Sequence, residues 1–224
     1  MLVWRCSPRK SRPADHSPEV SLTLNSVDAT QAPTLDPFRT VLYLAGRLTP
    51  AIGEFLDSKG AEVSAEAFWA AWRYRQRIEQ YQDNIVTLGH GGYLTVARRA
   101  CGYVLAFHPV GASPGEVDRL LRAAWQDLNP FPEVVAALER LKSRFKLVAL
   151  SNGEPEFLQH LATNRIGWEF DDIISVQTVG AFKPHPGVYR KAANILGLEV
   201  GECLMVSANS FDVMGRSEEH TSEL

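Results

Sequence analysis

Two polar clusters each close a short apolar run: Ser151-Asn152-Gly153 follows Lys146–Leu150, and Ser207-Ala208-Asn209 follows Cys203–Val206. An apolar run of four or five residues that stops abruptly at hydroxyl and amide side chains predicts a buried strand ending in a polar loop. Such clusters supply hydrogen-bond donors and acceptors for a small neutral or anionic ligand. A second candidate, His90-Gly91-Gly92-Tyr93, superficially looks like the oxyanion loop of an esterase. No Gly-x-Ser-x-Gly elbow accompanies it anywhere in the 224 residues, so it reads as a loop between helices. His185 lies between Pro184 and Pro186 with no acid near it in sequence to make it a base, and His108, before Pro109, ends a helix.

The elements that must position these clusters follow from periodicity. From Phe131 onward the chain alternates helix and strand: helix 132–144, strand 146–150, helix 155–164, strand 172–177, helix 187–196 and strand 203–206. Alternation of this kind implies crossovers and a parallel sheet, whose ligands sit at the carboxyl ends of the strands. Both polar clusters then face one crevice. Between Thr49 and about Leu128 the apolar residues instead recur at helical spacing, as in Ile52, Phe55, Leu56 and Phe68, Trp69, Trp72. Ser64 and Ser113-Pro114 supply N-cap signals, and Gly89–Gly92 and Pro109–Gly115 divide the segment into about four helices. Phe68, Trp69, Trp72 and Phe131 read as packing residues. The expectation is an α/β fold, a Rossmann-like core with a parallel sheet and an all-helical cap inserted over its crevice.

Composition bounds the partners. With 45% hydrophobic residues the chain is long enough for one α/β core with an insertion. A net charge of -3, with basic and acidic residues interspersed, leaves no footprint for nucleic acid or an anionic membrane. No apolar run approaches the roughly 20 residues that span a bilayer. Cys6, Cys101 and Cys203 are odd in number and far apart, without zinc or disulfide spacing, which suits reduced thiols in the cytoplasm. Residues 1–34, rich in Ser, Pro, Asp and Thr, are expected to be a poorly ordered leader with one strand-like run, Ser21–Val27.

Four segments together resemble the type II L-2-haloacid dehalogenases of the haloacid dehalogenase superfamily: LDPFRTV (Leu35–Val41), AWRYRQ (Ala71–Gln76), LSNG (Leu150–Gly153), and FKPHPGVY with MVSANSFDVMG between Phe182 and Gly215. The resemblance implies a core at 35–43 and 129–215, a cap at 44–128, and hydrolysis of short 2-haloalkanoic acids with inversion. It makes Asp36 the nucleophile. A carboxylate that displaces halide forms an ester, which water then cleaves. Arg73 and Asn152 match the donors that receive the halide. Ser151 matches the residue that holds the substrate carboxylate, and Phe38 and Thr40 accompany Asp36 at the substrate. Lys183 supplies a fixed positive charge that keeps Asp36 ionised, while Ser207, Asn209 and Asp212 match the cluster that positions the hydrolytic water. The partner implied is a small carboxylate substrate, and the family's frequent dimers suggest a homodimer.

No cofactor is expected. The magnesium phosphatases of the superfamily need an acid two residues after the nucleophile, where Phe38 stands, and usually a second carboxylate beside Asp212. The first motif departs from the family's Asp-x-(aromatic)-Gly-Thr pattern: Pro37 has no N–H to offer, and Arg39 replaces a glycine that would tolerate positive φ. Asp28, which ends Ser21–Val27, is the rival nucleophile, and Asp36 is preferred for its distance to Arg73 and the Thr40-Val41 that follows it. An inactive relative binding a small carboxylate is a further alternative. Residues 216–224, RSEEHTSEL, are the in-frame translation of the start of a common short-read sequencing adapter. That reading predicts a non-native tail and the loss of the last core strand and terminal helix.

Overall fold

The computed structural model describes residues 29–86, 89–108 and 110–221. Ser21–Val27 and Asp28 lie outside them. Four strands form a parallel sheet in the order β3-β2-β1-β4: β1 Ala32–Leu35, β2 Val148–Ser151, β3 Asp172–Ser175 and β4 Cys203–Val206. The last three fall where the apolar runs place them. The first corrects the expectation of a leader reaching residue 34, because Ala32-Pro33-Thr34-Leu35 is a fully buried strand at the centre of the sheet. Pro33 cannot donate a ladder hydrogen bond; β1 pairs with β4 from Ala32 and with β2 only from Thr34. Order extends further back, since the Gln31 N–H donates to the Glu202 carbonyl at 2.9 Å.

Between β1 and β2 run five helices: α1 Leu44–Ser58, α2 Ala65–Ile85, α3 Tyr93–Phe107, α4 Pro114–Trp125 and α5 Val134–Lys142. The first four are the helices expected between 49 and 128, with α1 starting ahead of Pro50 rather than at Thr49. Both serine caps form. Ser64 Oγ accepts from the Ala67 N–H at 3.2 Å, and Ser113 with Glu116 completes a reciprocal capping box. The block is held by buried Phe68, Trp72, Val96, Ala100, Leu120 and Trp125, and its core is continuous with that of the sheet. The Trp72 indole N–H donates to the Ala97 carbonyl at 2.7 Å, tying α2 to α3.

The sheet is completed by α6 Pro155–His160, extended by a wider turn over Leu161–Ile166, by α7 Pro186–Leu196, and by α8 Ser210–Thr221, which runs into the residues read as a non-native tail. His108 caps the end of α3, and His185 caps the start of α7, its Nδ1 accepting from the Gly187 N–H. Among the described residues, no helix is long and apolar enough to cross a membrane.

Candidate active site

The carboxyl ends of β1, β2 and β4 converge, and each hands a polar loop to the same point. Asp36 follows β1, Asn152 follows β2, and Ser207 and Asn209 follow β4, with Asp212 in the first turn of α8. Lys183 arrives from the loop between β3 and α7. Its ammonium donates to Asp36 Oδ1, Asp212 Oδ2 and the Leu150 carbonyl, each at 3.0 Å. Ser207 Oγ lies 2.8 Å from Asp212 Oδ2 and 3.4 Å from Asp36 Oδ2. All four side chains are buried, so the lysine is the charge that makes two enclosed carboxylates tolerable.

The electrostatics follow from that enclosure. Burial pushes the Asp36 carboxyl from 3.8 up to about 6; Lys183 pulls it down and the Asp212 charge pushes it up. For Lys183, burial acts downward, but Asp212 and Asp36 outweigh it and hold the ammonium above its ordinary range. Tyr189 is a residue that sequence reasoning missed. Burial, then the Asp212 charge, raises its phenol well above the usual value, so it stays protonated, with its hydroxyl 3.4 Å from Asp212 Oδ1.

The Asp36 loop turns tightly, the Leu42 N–H reaching back to the Pro37 carbonyl at 2.8 Å. Arg39 within it has φ 68°, the left-handed conformation that costs a side-chain-bearing residue roughly 1–2 kcal/mol. Thr40 Oγ1 accepts from the Ala208 N–H at 2.8 Å, joining this loop to the one after β4. Phe38 turns inward and stacks on Tyr93, with centroids 5.3 Å apart and planes 2° apart, and meets Trp125 edge-on.

Arg73 on α2 faces the same cavity. Its guanidinium donates to Gln76 Oε1 at 2.8 Å and Tyr93 Oη at 3.3 Å, and lies over the Trp69 and Trp125 rings at 5.5 and 5.8 Å. Asn152 is held by its Oδ1, which accepts from the Lys183 N–H at 2.8 Å, and its carbonyl lies 2.9 Å from His90 Nε2. A cavity of about 40 Å³ remains between these groups, with Asp36, Phe38, Arg73, Asn152, Lys183, Asn209 and Asp212 all on its wall.

Three expected site residues stand back from that wall. Ser151, expected to hold the substrate, is fully buried, and its Oγ accepts from the Gly153 N–H at 3.2 Å. Ser207 works through the carboxylates, and Thr40 through Ala208. Other cavity residues were missed, among them Tyr93, Arg77, Gln80 and Tyr81. The loop read as a mere helix connector delivers His90 to Asn152 and Tyr93 to Arg73. The only sequence signal for Gln80 was its polarity on a helix that packs inward. Trp69 and Phe131, read as packing, line an adjacent groove, whereas Phe68 and Trp72 are fully buried.

Residues 41–215 match the family model for haloacid dehalogenase-like hydrolases. The chain belongs to that family. The (S)-2-haloacid dehalogenase 4A of Burkholderia cepacia is 30% identical over 191 residues, covering 84% of this chain and 79% of that one. The solved L-2-haloacid dehalogenase from Xanthobacter autotrophicus superposes with TM-score 0.75 at 27% identity, over 84% of this chain and 74% of that one. The same enzyme with chloropropionic acid covalently bound gives TM-score 0.73 at 26% identity over the same shares. The family match begins after Asp36, which joins the site through its contact with Lys183.

Proposed function

We propose that this hydrolase converts short (S)-2-haloalkanoic acids to (R)-2-hydroxy acids through an ester on Asp36, without a metal. The observation that carries the proposal is the Lys183 ammonium 3.0 Å from both Asp36 and Asp212, with Ser207 beside the two carboxylates. The covalent chloropropionic acid adduct of the related enzyme supports it.

In the first step an Asp36 oxygen attacks the halogen-bearing carbon from behind, the carbon–halogen bond breaks, and halide leaves with the bonding pair. Arg73 and the free amide nitrogen of Asn152 receive the developing negative charge on the cavity wall. In the second step water, oriented by Asn209 and Asp212, adds to the ester carbonyl carbon, and the hydroxy acid departs with the oxygen that first attacked it. Ser207 holds Asp212 in place for this step, and buried Ser151 orders the Asn152-Gly153 turn. The four helices α1–α4 act as a cap that excludes water other than the nucleophile. The counter-charge that phosphatases take from magnesium comes here from Lys183, and Phe38, turned onto Tyr93, offers no oxygen to a cation. The buried free thiols Cys101 and Cys203 suit a reducing cytoplasm.

A single turnover of (S)-2-chloropropionate in oxygen-18 water tests the chemistry. The expected result is chloride, unlabelled (R)-lactate and label in Asp36, located by peptide mass spectrometry. Label in Asp28 would move the nucleophile to that residue, and label in the lactate would overturn the ester mechanism.

A further inference from the structure

Beside the catalytic cavity runs a groove of about 520 Å³, within the roughly 300–1,000 Å³ typical of small-molecule sites. A two- or three-carbon acid held at Asp36 makes no use of it. Arg39, Arg73 and Arg77 line both spaces, so the groove opens directly off the reaction centre. Among the described residues, its wall carries those three guanidinium groups, the aromatic rings of Tyr43, Trp69 and Phe131, and no carboxylate.

Arg73 is already engaged with Gln76, Tyr93 and two tryptophan rings. The guanidinium groups of Arg39 and Arg77 make no ion pair or hydrogen bond with any described residue, and both line the groove as well as the cavity. Arg39 also keeps a strained backbone, φ 68°, at a position that a glycine would occupy without cost. Strain retained beside a reaction centre points to a side chain with a task there.

We infer that the groove accepts the tail of a longer substrate, and that the preferred substrate is a 2-haloacid bearing a second, distal carboxylate. Arg39 and Arg77 bind that carboxylate, as guanidinium forks do, and the aromatic wall packs the connecting carbons. The inference rests on the dehalogenase reading of the Asp36 centre.

The test compares (S)-2-bromoadipate with (S)-2-bromohexanoate, which share a chain length and differ in the distal carboxylate. The diacid is expected to show at least tenfold higher kcat/KM for bromide release. Arg77→Gln, alone and with Arg39→Gly, should shrink that ratio about tenfold, and Arg77→Lys should restore part of it. Calorimetric binding of 2-hydroxyadipate and 2-hydroxyhexanoate reads the groove without turnover, and the same tenfold gap is expected there. Equal kcat/KM and equal affinity for each pair overturn the groove proposal while leaving dehalogenation intact. No bromide from either acid, together with a tenfold affinity gap, overturns dehalogenation and upholds the second anion site.

Discussion

Replacing Lys183 by Met removes the one ammonium that faces both buried carboxylates, and the structure sets how its effect depends on pH. Removing one partner of a buried ion pair costs roughly 3–5 kcal/mol when the other stays charged. Asp36, however, can escape by taking up a proton. With Lys183 present its carboxyl already sits at about 6 against 3.8, a penalty on ionisation of about 3 kcal/mol. Without Lys183 it rises further. An acid whose folded-state pKa exceeds its unfolded value binds more protons when folded, so stability falls as pH rises through that interval. At pH 5 the variant should therefore lose the Leu150 carbonyl contact, about 1 kcal/mol, together with the Asp212 pairing, but not the pairing of a charged Asp36. At pH 8 it should lose about 3 kcal/mol or more. Urea unfolding followed by tryptophan fluorescence at the two pH values measures both losses, and halide release at pH 7 should fall roughly 10²–10³-fold. Equal destabilisation at pH 5 and pH 8 would refute the reasoning, because it would mean that Lys183 does not control the ionisation of Asp36.

In the unmodified enzyme, kcat/KM for halide release should drop on the acid side with a midpoint near pH 6, where the nucleophile becomes protonated; a flat profile down to pH 4.5 would count against Asp36. Arg39→Gly should stabilise the fold by about 0.5–1 kcal/mol in the same urea assay, since relief of left-handed strain exceeds the added chain entropy. Halide release should survive prolonged treatment with EDTA, because Lys183 supplies the counter-charge; loss in EDTA with recovery in magnesium would favour a phosphatase-type centre.

Much of this arrangement was legible in the residues. β2 and β4 announce themselves as apolar runs broken by Ser151-Asn152 and Ser207-Ala208-Asn209; β2 is buried on both faces and so has no polar position until it exits the sheet, while β4 alternates buried and half-buried apolar residues. β1 hides for the opposite reason: Ala32-Pro33-Thr34-Leu35 has one large apolar side chain and a proline, and only pairing on both sides makes it a strand. Pro50 disguises the start of α1 as a first-turn signal at Thr49, although the helix carries that proline in its interior. Asp36, Lys183 and Asp212 were singled out by resemblance, yet the Asp36–Lys183 contact spans 147 residues of chain and no spacing rule reveals it. Tyr93 and Tyr189 were missed because each is an ordinary helix residue until tertiary packing sets it against Arg73 or Asp212.

The 2.8 Å hydrogen bond from the Ala208 N–H to Thr40 Oγ1 ties the loop bearing Asp36, the proposed nucleophile, to the loop bearing Asn209, proposed to orient the water. On the proposed ester mechanism, a substitution that shifts the first loop should therefore be felt in both ester formation and ester breakdown. An engineer who wants to alter the two rates separately must begin by cutting that clasp.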